Sequence, residues 1–583
     1  MDRGREVTHV NSKKNENGVI TVLVSLMLIG ILSLGTLVLE AGRFQAAKTQ
    51  LGEANTSAAT SVIASYNNDL YDRYGIMAID SESAEDENYK DYLLFNSDLA
   101  SGYRGNNITK FYRVDSVETE GLYNLTYTSV LKRQILSRAK YYVKPEDYSL
   151  NYYNADTFFS DMNDKADYVS AHLYSAAKGH AAIGSAEDIP QEMLNALKTM
   201  HEYFKDDIKY DLSYNVTVNE ASINILPSRT GTVKDIINQN DIDAINNTIK
   251  DAALHIGSES SALSADDADS YSEIDVNIDV SFAAEYFSDY ESVEDLYGNA
   301  QQAAEDCIDI AQNISGNINM LSEERETNLL LNSYIVKYFP CRNNALESYT
   351  GPAIGAELND TDNLTFSGAC VEYIFGNSAS ETVNQQSAYD YILTARFINN
   401  LYNAMVNSDT FDSGNSYSVA AHIAWAYYET CADVKLLADY NAVVPMQKYN
   451  MIFSVNEPSN VYDAFSDTQD FTDIMKNIGV YDGNAFNIEG IDQTSYKDAL
   501  SLALWFMPNS NKLLQIADLI QLEMRYKEQH VNRKTAEFLM SEQNTYFRTK
   551  CTATLNPILP IISIGTNSGT DGISFQSIKY VGY

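Results

Sequence analysis

Gly18 to Leu39 (GVITVLVSLMLIGILSLGTLVL) is an uncharged apolar run in a chain that is otherwise acidic and polar. At about 1.5 Å rise per residue it reaches roughly 33 Å as a helix, which matches a hydrocarbon core of about 30 Å. The run therefore predicts one membrane-spanning helix over 18–39, after a basic N-terminal segment over 1–17. Arg3, Arg5, Lys13 and Lys14 precede it, whereas the following flank holds Arg43 and Lys48 beside Glu40 and Glu53. That asymmetry places the N-terminus in the cytoplasm and the bulk of the chain outside it. A cleaved signal peptide would need a shorter apolar stretch ending in an A-x-A-like site, and Leu39-Glu40-Ala41 is a poor one. An uncleaved signal anchor at the cell membrane is the expectation.

The net charge of −40 lies wholly beyond residue 39, because residues 1–39 hold four basic and three acidic groups. Such a surface repels nucleic acid and anionic lipid, so no nucleic-acid partner is expected, and the bilayer is contacted through residues 18–39. The 42 tyrosines predict a wet surface or a shallow core, since the ring buries area while the hydroxyl tolerates water. Cys307, Cys341, Cys370, Cys431 and Cys551 are odd in number and widely spaced, which fits buried thiols better than a disulfide framework or a zinc site.

Beyond the span, residues from Glu40 to about Tyr66 contain no Pro and are rich in Ala, so the same helix can continue as a stem. Phe44, Ala47, Leu51, Ala54 and Ala58 follow 3/4 spacing, a seam along which another backbone can approach closely. The seam is expected to pack on the chain's own ectodomain, with self-association through the stem as the alternative. Tyr74–Asp80 reads as a short strand and Tyr127–Val143 as a helix. Alternating residues predict half-buried antiparallel strands over Tyr210–Val218, Ile274–Phe282 and Phe547–Leu555. Helices are expected over about 166–206, 233–254 and 293–339. The predicted fold class is α+β: a transmembrane helix prolonged into a stem, and a multi-lobed ectodomain with more helix than strand. The boundaries are a stem and N-terminal region over 40–145, a middle region over 146–345 and a C-terminal α+β region over 346–583.

No G-x-G-x-x-G, P-loop or H-E-x-x-H occurs, and the seven histidines form no H-x-x-x-H pair. Asp267-Ala268-Asp269 and Asp360-Thr361-Asp362 lack the Gly and Glu of a calcium loop. Gly565-Thr566-Asn567-Ser568-Gly569 has its Ser one place too late for a nucleophile elbow. No catalytic, metal or cofactor-binding residue is assigned. Arg396, Glu429, Asp433, Lys448 and Asp518 interrupt apolar stretches and are expected to form structural ion pairs.

The exit from the apolar run, Leu39-Glu40-Ala41-Gly42-Arg43-Phe44-Gln45-Ala46-Ala47, resembles the TadG-type N-terminus of Tad (Flp) pilus-assembly proteins. Val371-Glu372-Tyr373-Ile374-Phe375-Gly376-Asn377, Ala395 to Asn400, Trp425-Ala426, Val444-Pro445 and Ile516 to Gln521 add a similarity to an uncharacterised family of single-pass envelope proteins of Gram-positive bacteria. The resemblance implies the cell envelope, Tad-like pilus or secretion partners, and no activity. A prepilin peptidase site would place Glu five residues after Gly18, where Leu23 stands, so the anchor is expected to be permanent. The expected function is a non-enzymatic accessory protein of such an apparatus. A surface adhesin and an extracytoplasmic carboxylate-dependent hydrolase are the competing readings.

Overall fold

The computed structural model describes residues 13–80, 86–96, 112–143, 145–178, 189–208, 283–288, 290–321, 325–342, 369–377, 381–409, 416–440, 442–445, 451–466, 470–488, 493–527, 538–555 and 572–583. The described residues are mostly helical, with small antiparallel sheets, which agrees with the α+β expectation. The strands expected over Tyr210–Val218 and Ile274–Phe282, the helix over 233–254, the acidic turns at Asp267 and Asp360, the Gly565 loop and Lys448 lie outside them.

Helix α1 (Lys13–Ile63) is unbroken and long and apolar enough to cross a membrane. Every large apolar side chain from Ile20 to Leu39 is more than half exposed, from 54% at Leu23 to 69% at Ile31. Apolarity all round with no protein cover is what a lipid-facing helix shows. Past Leu39 the pattern changes to one face: Ala47, Leu51, Ala54, Ala58 and Val62 are buried.

That face packs on a sheet built from distant parts of the chain. Strand β5 (Gln543–Leu555) is central. Antiparallel β2 (Tyr112–Asn124) flanks it on one side, while β6 (Ile573–Gly582) and the two-residue β1 (Ile79–Asp80) pair with the other edge. Helix α3 (Asp86–Asn96) packs beside α1, adding Tyr89 and Leu93 to the same small core. Across β2 and β5, Lys550 meets Glu118 at 2.9 Å and Arg548 meets Glu120 at 2.6 Å.

The expected strand over Tyr74–Asp80 is mostly not one. Helix α2 (Asn68–Tyr74) is started by Asn67, whose side chain accepts from Leu70 N, and is stopped by Gly75 at φ 68°, leaving only Ile79–Asp80 extended. Local capping chemistry overrides the apolar run here.

The larger core is helical. It contains α4 (Thr128–Tyr142), α5 (Pro145–Ala177), α6 (Gln191–Ile208), α7 (Ala283–Ser288), α8 (Val293–Gly298), α9 (Ala300–Leu321) and α10 (Arg325–Tyr338). It continues through α11 (Cys370–Gly376), α12 (Glu381–Asn407), α13 (Ser416–Ala438), α14 (Pro458–Ser466), α15 (Phe471–Ile478), α16 (Tyr496–Ala503) and α17 (Asn509–Lys527). Helix α13 is apolar nearly all round and is correspondingly enclosed by α5, α6, α8, α9 and α12. Strands β3 (Val444–Pro445) and β4 (Gln493–Thr494) form a separate short ladder.

Several tyrosines go deeper than the wet surface or shallow core that the composition predicts, while Tyr141 and Tyr174 are exposed. Tyr74, Tyr89, Tyr334, Tyr427 and Tyr496 are fully buried. Tyr74, Tyr89, Tyr334 and Tyr496 donate to Glu523, Asn55, the Tyr74 carbonyl and Glu372, so their hydroxyls are satisfied inside the protein. All five cysteines are buried thiols.

Candidate functional site

The stem meets the sheet through a continuous apolar stripe with one polar point. Ala47, Leu51, Ala54 and Ala58 lie in the core with Phe547, Cys551, Ala553 and Leu555 of β5, and Phe44 is half-buried against Phe575, ring centroids 5.5 Å apart. Small side chains on α1 let the helix lie close to the strands. Burial pushes the Cys551 thiol up to about 11, and the Tyr112 hydroxyl to about 12.

Asn55 is the polar point. Its Nδ2 donates to the Ser577 carbonyl at 3.1 Å and to Ser577 Oγ at 3.0 Å. Its Oδ1 accepts from Tyr89 OH at 2.5 Å and Thr549 Oγ1 at 2.8 Å. One buried amide thus joins the stem to β6, β5 and α3, and fixes the stem's rotation and height.

Stem and β6 run in the same direction. Phe44 meets Phe575 at one end, and Tyr583 OH donates to the Ile63 carbonyl at 2.5 Å at the other. Phe44 to Ile63 rises about 28 Å as helix, and Phe575 to Tyr583 spans about 26 Å as strand, so the two elements match in length.

Of the five charged residues singled out in the sequence, Arg396 and Asp433 form an ion pair, Nε to Oδ2 3.0 Å, with side chains 9% and 0% exposed. Arg396 also donates to the Pro445 carbonyl at 2.9 Å, and Asn400 Nδ2 donates to Asp433 Oδ2 at 3.0 Å. Glu429 lies one turn earlier on α13 and accepts from two backbone amides: Ile452 N donates to Oε1 at 2.5 Å and Phe453 N to Oε2 at 2.9 Å. Trp425 Nε1 donates to the Phe453 carbonyl at 2.8 Å, so α13 holds this segment by three bonds. Asp518 accepts from Tyr373 OH at 3.3 Å. Arg396, Asp433 and Glu429 thus lie close together on α12 and α13, whereas Asp518 lies on α17 beside α11.

The sequence reading missed four further buried polar groups. Lys512, fully buried, donates to Asn328, Asn332 and Asn509 at 3.0, 3.0 and 3.1 Å. Glu372 accepts from Arg342 N and Tyr496 OH, each at 2.9 Å. Glu523 accepts from Tyr74 OH and has Cys370 Sγ at 3.7 Å. Burial, followed by the Glu523 charge, pushes the Tyr74 hydroxyl well up, and burial with Glu372 does the same to Tyr496. Lys512 and Glu523 each lie one helical turn from Ile516 and Ile520, which was the available sign that both face the core.

His422 is the fourth. Its Nδ1 is 2.6 Å from the Ser418 carbonyl and its Nε2 is 2.7 Å from Ser408 Oγ, a pattern the neutral ring satisfies by donating from Nδ1 and accepting at Nε2. Burial pushes its pKa down to about 4. The unfolded chain, with a histidine near 6.5, then binds more protons than the fold between those values. Stability from this group is complete above about pH 6.5, and about 3 kcal/mol of it is lost as pH falls to about 4. Urea titrations at pH 7.0 and 4.5 are expected to show a smaller acid loss in His422→Asn than in wild type; equal losses would contradict this assignment.

Among the described residues no group of three or more His, Cys, Asp or Glu is placed to hold a metal ion. Every buried carboxylate named above already accepts from a protein donor. The arrangement can lock helices, and the sheet beside α1, into fixed geometry. Comparison with family models, curated proteins and solved structures yields no match, so the reading of this site rests on its own residues.

Proposed function

We propose that this chain is a non-enzymatic, permanently anchored structural protein of the cell envelope, with its N-terminus in the cytoplasm and a multi-lobed ectodomain outside. The observation that carries the reading is the single helix α1, uncovered and apolar over Ile20–Leu39 and then buried against the sheet from Ala47 to Val62. Phe44 lies about 8 Å beyond Leu39 along the helix, so the sheet begins about where the lipid headgroups end. A rigid stem of this kind passes force or position between membrane and ectodomain without a flexible linker. The TadG-like residues after Leu39 support an accessory role in a Tad-like pilus or secretion apparatus.

The seam itself is occupied by the chain's own sheet, so a partner would meet the opposite face of the stem, where Ala46, Thr49, Glu53 and Thr56 are exposed. A photo-crosslinking residue at Glu53 or Thr56 in living cells is expected to capture a second envelope protein of the apparatus. Capture of lipid and solvent adducts alone would count against the assembly role while leaving the anchor in place.

A further inference from the structure

Lys165 on α5 and Asn399 on α12 are 234 residues apart in sequence, yet Lys165 Nζ is 2.5 Å from Asn399 Oδ1. A C=O bond is about 1.2 Å long, so the amide carbon lies no more than about 3.7 Å from the amine, near the roughly 3–3.5 Å of reacting atoms poised for attack. Asp161, one turn before Lys165 on α5, places Oδ2 2.6 Å from the same Nζ. Lys165 is only 8% exposed, and the Tyr402 ring lies 5.5 Å from its nitrogen.

The other half of the amide is equally telling. Asn399 Nδ2 is buried and has no hydrogen-bond partner. A buried amide nitrogen that donates to nothing is costly to keep, and no bond holds it against departure. Amine, carbonyl carbon and leaving nitrogen therefore stand together in a contact between two helices largely closed to solvent, and the Asp161 carboxylate, its side chain 34% exposed, stands at the edge of that contact.

We propose that Lys165 and Asn399 condense into an intramolecular isopeptide bond, with Asp161 as the proton carrier. Asp161 removes one proton from the Lys165 ammonium, and the neutral amine adds to Asn399 Cγ. A second proton passes from Nζ to Nδ2, the Cγ–Nδ2 bond breaks, and ammonia leaves, taking up the proton held by Asp161 as ammonium. One amide bond replaces another, no electron is gained or lost, and no co-reactant is needed. The product joins α5 covalently to α12, so that a pull on the stem could not separate those helices.

Intact-mass spectrometry of the full chain in detergent micelles is expected to give a mass below that of the sequence by one ammonia. Its tryptic map should contain one branched peptide joining Lys165 to Asn399. Lys165→Arg and Asn399→Ala should each restore the linear mass, and Asp161→Ala should leave both partners present but unlinked. Wild-type protein at the full sequence mass, with Lys165 and Asn399 in separate linear peptides, overturns the proposal without recourse to any variant. Loss of ammonia mapped to another site overturns it too, and a link that persists in Asp161→Ala removes the assigned proton carrier.

Discussion

Replacing Arg396 by alanine is expected to destabilise the ectodomain by about 3–5 kcal/mol, because it leaves the buried Asp433 carboxylate without its cation. The Asn400 amide remains beside Asp433 but neutralises no charge, and the Pro445 carbonyl loses its donor. The check is the urea midpoint of the detergent-solubilised protein. Lys198→Ala, which breaks a surface pair with Glu294, should leave that midpoint where it was. The double change Arg396→Met with Asp433→Leu should recover much of the loss, since the paired charges are replaced together by apolar volume. An Arg396→Ala protein as stable as wild type would mean that Asp433 is neutral or solvated, and that the ion pair is not a structural element.

Asn55→Leu is expected to have the second largest effect, about 3 kcal/mol, because it takes the acceptor from the buried Tyr89 hydroxyl and leaves Thr549 and the Ser577 carbonyl only long contacts, to the Lys579 carbonyl at 3.5 Å and Cys551 Sγ at 3.7 Å. Leucine keeps the same number and branching of side-chain heavy atoms, so the change opens no cavity. Its signature should be local: amide hydrogen exchange should quicken in β6 and α3 before it quickens in α12 and α13. Thr56→Leu, on the exposed stem face, is the matched control. Equal exchange in β6 for wild type and Asn55→Leu would show that the apolar stripe alone positions the stem.

The stem was legible because two patterns adjoin in one uninterrupted helix: apolarity on all sides to Leu39, then a one-sided stripe at Ala47, Leu51, Ala54 and Ala58. Strand β5 was legible from its strict alternation over Phe547–Leu555. Its neighbours were not. In β2 a register shift between Val114 and Ser116 breaks the period of two, and in β6 the inward Ser577 is polar because it serves Asn55. The sheet is also assembled from strands more than four hundred residues apart, a pairing that no local pattern reports.

Charge in the helical core was half legible. The interruption of apolar helices marked Arg396, Glu429 and Asp433, but the partner of each depends on tertiary geometry. Glu429 shows this best, since two backbone amides of a following loop donate to it, contacts that no charge pattern in the sequence marks. Lys512 escaped notice because three asparagine oxygens from two helices lie among its acceptors, and no charge pattern in the sequence marks them. Tyrosine misled for a related reason: composition cannot show whether a buried acceptor awaits each hydroxyl.

The central claim is that α1 crosses the membrane once and emerges as a stem locked to an extracytoplasmic body. All five native cysteines are buried, so a membrane-impermeant maleimide should report mainly on single introduced thiols. In intact cells Tyr141→Cys, at an 86% exposed position away from the stem, is expected to be labelled, while Thr8→Cys is labelled only after the membrane is permeabilised, both in full-length protein retained in the membrane fraction. Labelling of Thr8→Cys from outside, protection of Tyr141→Cys, or release of a shortened ectodomain would contradict the account.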